Sequence, residues 1–110
     1  LHPALPDCPG HTYWKRDFTG AGSLFGVVLN STYTRQNMEH MINAMRLFGI
    51  GASWGGYESL VLPTTVGITR NFGSDQPDAP AFRLQSGLEN TQDVRDDLEQ
   101  ACNALHRSAA

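Results

Sequence analysis

Two stretches of this chain carry apolar residues at three-and-four spacing, and the text between them alternates by twos. Met38, Met41, Ile42, Met45 and Phe48 recur on one helical face, which predicts a helix over residues 35–48 with one side committed to a core. Thr34 stands where a cap belongs, and Gly49 and Gly51 stand where the helix would stop. Val94, Leu98, Ala101 and Leu105 form the second stripe, on a helix predicted over residues 91–105. Asn90 precedes it as a cap, with Asp93 in a box-like relation, while His106 and Arg107 close it as the helix dipole favours. Between the stripes, "AFRLQSG" at 81–87 sends Phe82 and Leu84 to one side and Arg83 and Gln85 to the other. "LFGVVL" at 24–29 reads as a buried strand, "ESLVLP" at 58–63 as a second, and "VGITR" at 66–70 as a shorter third ahead of a polar loop. A helix with one apolar face must be covered, so this order predicts an α+β fold. Its sheet would be mostly antiparallel, three- to four-stranded, with the helices packed on one face. The methionines suit that core as gap-fillers, not as a metal or redox feature.

Composition narrows the function classes. The chain has 110 residues, enough for one domain, and 40% hydrophobic with 17% charged content is that of a folded chain. A formal net charge of −3, with eight scattered basic residues, offers no footprint for nucleic acid. No apolar run nears the ~20 residues a bilayer span needs, and no signal-peptide pattern opens the chain, so a cytoplasmic protein is expected. Cys8 and Cys102 lie far apart without a CxxC partner. They read as ordinary thiols of a reducing compartment, with a single disulfide left open. The lead "LHPALPDCPGH" lacks an initiator Met and spaces Pro3, Pro6 and Pro9 like an extended crossing segment. It suggests a fragment of a larger protein: residues 1–22 as a lead, with a short helix or turn at 10–18 anchored by Tyr13, Trp14 and Phe18, and residues 23–110 as the α+β domain.

Two places invite a ligand. In "FGIGASWGGYESLVLPTT" at 48–65, Gly55 and Gly56 sit between Trp54 and Tyr57. One reading is a bulge beside a buried core tryptophan. The other is a backbone that passes close to a ligand, with the Ser53 hydroxyl and N–H available and the Trp54 indole as a wall. Arg83 is the second place, on a strand fixed by its buried neighbours and followed by the Gly87 turn. It either pairs with a surface carboxylate or presents a planar fork to the carboxylate of a ligand. No catalytic set is complete: the four histidines are dispersed, and there is no HExxH, GxSxG or phosphate-binding glycine loop. Glu89, Asp93 and Asp96 at the start of the last helix read as a solvated face.

"HPALP", "GHTYWKRDFTGAGSLFGVVL", "FGIGASWGGYESLVLP" and "FRLQSGLENTQDVRDDLEQA" together resemble the C-terminal domain of the pyridoxal-phosphate-dependent enzymes of cysteine and methionine metabolism. "SWGGYESL" is most similar to the bacterial cystathionine β-lyase branch. The resemblance spans residues 2–105 and implies the small C-terminal domain of a fold-type I enzyme. It implies that Arg83 grips the substrate α-carboxylate, with Ser53 helping to hold it and Trp54 shaping the wall. It implies cleavage of L-cystathionine to homocysteine, pyruvate and ammonia, a step of methionine biosynthesis and transsulfuration, in a cytoplasmic homotetramer. It also implies that pyridoxal 5′-phosphate is held by an upstream large domain of the same polypeptide. Lys15, the only lysine here, does not match the family's cofactor lysine, so this chain alone is expected to be inactive and to bind no cofactor covalently. Ala52 stands where some relatives carry tyrosine. The competing expectations are a sister activity (cystathionine γ-lyase, cystathionine γ-synthase or methionine γ-lyase) and a freestanding small-ligand or interaction module.

Overall fold

The structure, a computed structural model, describes residues 2–64 and 79–110. The elements run α1 (His11–Asp17), β1 (Leu24–Val28), α2 (Arg35–Ala44), β2 (Gly49–Ile50), β3 (Leu60–Pro63), β4 (Ala81–Gln85) and α3 (Thr91–Ala109). The sheet has the order β1-β4-β3-β2. β4 pairs antiparallel with both β1 and β3, and the short β2 pairs parallel with β3. The α+β expectation holds, with one parallel pair making the sheet mixed. The "VGITR" strand and most of the loop after it lie outside the described residues.

The alternation of β4 decides which face is covered. Phe82 and Leu84 are buried on the side where α2 and α3 pack, together with Met38, Met41, Ile42, Val61, Ala101 and Leu105. Thr34 begins α2 through a full capping box: its hydroxyl accepts the Asn37 N–H, and the Asn37 side chain accepts the Thr34 N–H. Asn90 begins α3 by accepting the N–H groups of Gln92 and Asp93. α3 runs to Ala109, about one turn past the expected end.

Three expectations need correction. α2 stops at Ala44, before the glycines: Met45 is extended (ψ 138°), and Gly49 belongs to β2. Phe48 is still buried, but it reaches the core from beyond the helix. β1 is half-buried instead of buried, because it lies at the sheet edge and pairs only with β4; Val28 is exposed. α1 forms as expected but buries no residue. Tyr13 and Phe18 are each 64% exposed, so they anchor nothing within this fold. Trp14 is partly covered, and its indole N–H donates to the Gly20 carbonyl at 2.9 Å. Cys8 and Cys102 are free thiols. Among the described residues, no helix is long and apolar enough to cross a membrane, and no cluster of ligating side chains could hold a metal.

Candidate functional site

The site is built on the side of β4 opposite Phe82 and Leu84, where Arg83 is half-buried and Gln85 is buried, at the place where the strands leave their ladders. After β2 pairs Gly49 with Leu60 and Ile50 with Val61, the Gly51 N–H donates to the Val61 carbonyl at 3.2 Å. The chain then bends through residues 52–59 and returns as β3. Gly55 has φ +82°, a conformation that costs a residue with a Cβ roughly 1–2 kcal/mol, so the bend needs glycine there. A Cβ built on Gly55 or on Gly56 would meet none of the described residues within 4 Å. The close approach occurs at Gly87 instead. A Cβ there would sit 2.1 Å from the Tyr57 carbonyl oxygen and 2.7 Å from the Ser59 nitrogen. The Gly87 N–H donates to the buried Ser59 hydroxyl at 3.0 Å, and the Leu88 N–H donates to the Tyr57 carbonyl at 2.9 Å. These contacts pin the end of the bend to the end of β4.

Arg83 reaches the same bend from inside the sheet. Its register partners are Gly26 on β1 and Leu62 on β3. Its side chain extends past β3, and Nη2 donates to the Ala52 carbonyl at 2.5 Å and, at 3.5 Å, to that of Ser53. Among the described residues no carboxylate forms an ion pair with Arg83; the ion pairs there are Arg16–Asp17 and Arg35–Glu39. Among the described residues, the surface-pair reading of Arg83 therefore finds no partner. A guanidinium has five N–H donors. This one is steadied through a single nitrogen, leaving Nε and Nη1 without a protein partner among the described residues.

The three residues singled out in the sequence thus fall on one bend and one strand, with different fates. Ser53 comes to Arg83 through its carbonyl, while its hydroxyl and N–H have no partner among the described residues. Trp54 follows it on the bend and is 62% exposed, which overturns the buried core tryptophan. No ring contact or hydrogen bond among the described residues joins Trp54 to Arg83. A hollow of about 230 Å³ beside the bend is lined by Ser53, Gly56, Tyr57, Glu58 and Leu60.

Sequence reading missed Asp97. This α3 side chain is 6% exposed, and its carboxylate accepts the N–H groups of Arg46 at 2.8 Å, Leu47 at 2.8 Å and Phe48 at 3.3 Å. Gln100 Nε2 donates both to Asp97 Oδ1 at 2.9 Å and to the Ala44 carbonyl at 2.6 Å. These bonds supply the partners that a further helical turn would have given, which is why α2 ends four residues before its apolar stripe does. Burial pushes the Asp97 carboxyl up, but the three backbone donors and Gln100 outweigh it and hold the group below the usual carboxylate range. The only signal in the sequence is that position 97 falls three residues after Val94 and four before Ala101, on the buried side of the stripe.

The fold and the bend define a small α+β domain whose arginine, among the described residues, keeps two guanidinium nitrogens without a protein partner beside the Ser53 hydroxyl and N–H, an arrangement suited to an anionic ligand. The family model for the Cys/Met metabolism PLP-dependent enzymes matches residues 1–103, and the chain belongs to that family. It is 40% identical over 101 residues to cystathionine β-lyase MetC of Escherichia coli strain K12, covering 89% of this chain and 26% of the relative. It is 33% identical over 115 residues to cystathionine γ-lyase of Sus scrofa, covering all of this chain and 28% of that enzyme. The solved structure of metB from Corynebacterium glutamicum superposes with a TM-score of 0.77 at 26% identity, over 96% of this chain and 28% of that one. The chain thus spans about a quarter of the length of the relatives it matches. The residues present do not fit the family cofactor by themselves. Lys15 is exposed on α1, a helix without a buried residue, so none of the described residues shields a Schiff base there from water.

Proposed function

We propose that this chain is the substrate-carboxylate-binding part of a pyridoxal-phosphate-dependent carbon–sulfur lyase that converts L-cystathionine and water to homocysteine, pyruvate and ammonia. The observation that supports this reading is the state of Arg83: held at one nitrogen by a backbone carbonyl, free of any carboxylate among the described residues, and with Nε and Nη1 open. A fork fixed in this way meets a planar carboxylate without first losing the rotamer freedom of a long side chain. Ser53 then offers its hydroxyl and N–H to the same ligand, and Trp54 supplies an apolar wall. Binding and orienting the substrate is this chain's part in the reaction. The remaining three-quarters of the polypeptide, as sized by the relatives, would hold the cofactor and the lysine that works with it.

The test is kinetic, on the whole protein. Arg83→Ala should lower kcat/KM by roughly 30- to 1,000-fold, mainly through KM, as losing about 2–4 kcal/mol of charge-assisted hydrogen bonding implies. Unchanged constants would remove Arg83 from the site. A second reading, a γ-lyase, is favoured by the similarity to the Sus scrofa enzyme. Product analysis separates the two: pyruvate marks cleavage at the β-carbon, and 2-oxobutyrate marks the γ-lyase.

A further inference from the structure

Residues 46–53 form one short strap between α2 and the bend, held at three points. At its start, Asp97 takes the N–H groups of Arg46, Leu47 and Phe48, and Gln100 takes the Ala44 carbonyl. At its middle, the Gly49 N–H donates to the Ser59 carbonyl at 3.0 Å and the Gly51 N–H to the Val61 carbonyl at 3.2 Å. At its end, the Ala52 and Ser53 carbonyls take Arg83. β2 is only two residues long, so its ladder alone fixes the strap weakly. The direction in which the last two carbonyls point therefore depends on where the chain leaves α2.

We infer that Asp97 is a positioning residue for Arg83, setting the approach of the guanidinium to the substrate carboxylate through the strap 46–53. This rests on the proposed role of Arg83. Asp97 touches neither ligand nor Arg83, and its carboxylate is saturated by four donors, so it has no capacity for a ligand of its own. Its effect is geometric. With an amide in its place, one oxygen becomes an NH₂ that faces backbone N–H groups, and the exit from α2 must shift. That shift passes along the strap, through β2, to the carbonyls at 52 and 53.

A double-mutant cycle on kcat/KM in the whole protein tests this. Asp97→Asn should lower kcat/KM by about five- to twentyfold, through KM with kcat nearly kept, as a displaced positioning group does. In an Arg83→Ala background the same change should cost less than about twofold, because the group it positions is gone. Equal losses in both backgrounds would overturn the inference and leave Asp97 a structural residue. An Arg83→Ala variant with unaltered constants would instead overturn the proposed role of Arg83, so the two failures are distinguishable. If Asp97→Asn does not accumulate as folded protein, Gln100→Leu decides in its place. It removes the bonds to Ala44 and Asp97 Oδ1, and a KM rise that disappears in the Arg83→Ala background supports the inference. A loss that persists there overturns it.

Discussion

The strap from Arg46 to Ser53 is held at its two ends by groups of opposite charge, and the two are treated differently. At the α2 end Asp97, on α3, faces the start of the strap, nearly inaccessible and with both oxygens engaged by donors. At the bend Arg83 is half-buried and, among the described residues, commits one nitrogen to the Ala52 and Ser53 carbonyls. A buried charge is tolerable only when fully hydrogen-bonded. A partly exposed charge can leave other donors to water, which serves them until a ligand arrives. The glycines repeat the contrast. Gly87 is wedged against residues 57–59, where any side chain collides with backbone, while among the described residues nothing crowds Gly55 or Gly56. One side of the bend is closed by packing and the other is left accessible.

Substitutions can break this contrast, beginning with the largest effect. Arg83→Ala, with its loss of kcat/KM, should leave stability within about 0.5–1 kcal/mol of the parent, since it gives up only the partly exposed bonds of one nitrogen to the Ala52 and Ser53 carbonyls. A thermal unfolding scan of the whole protein checks this, and a large loss of stability would place Arg83 with Asp97 among the structural charges. Gly87→Ala should destabilise by about 1–3 kcal/mol, because backbone is what a new methyl meets. Gly55→Ala should cost roughly 1–2 kcal/mol, from its positive φ alone. If Gly55→Ala proved the more damaging in denaturant titrations, something beyond the described residues would have to crowd the bend.

The state of Asp97 can be read by amide exchange in the whole protein. The depressed carboxyl means that its native form stays ionised to lower pH than its unfolded form. Its contribution to stability is thus present above the ordinary carboxylate pKa and is lost as pH falls through the native value. The amides of Arg46, Leu47 and Phe48 should stay protected down to about pH 4 and lose protection only below it. Loss centred above that point would contradict an ionised, saturated Asp97. The smallest effect belongs to Trp54. Since the ring is 62% exposed, Trp54→Ala should change stability by less than about 0.5 kcal/mol while raising KM. A larger loss of stability would mean that the ring is buried against another part of the protein.

Local periodicity determined much of this molecule. The stripes through Met38, Met41 and Ile42, and through Val94, Ala101 and Leu105, predicted two helices and their inward faces. The alternation of Phe82, Arg83 and Leu84 predicted that the arginine faces away from the core. These are legible because side chains three, four or two residues apart share a face whatever the rest of the chain does. The end of α2, the collision point at Gly87 and the seating of Arg83 were decided only in three dimensions. Asp97 meets Arg46 across 51 residues, Gly87 meets Ser59 across 28, and Arg83 meets Ala52 across 31. Such bonds depend on strand register and on where one element lies over another. No short-range pattern carries that information, because the partners become neighbours only once the sheet has formed and the helices have packed on it.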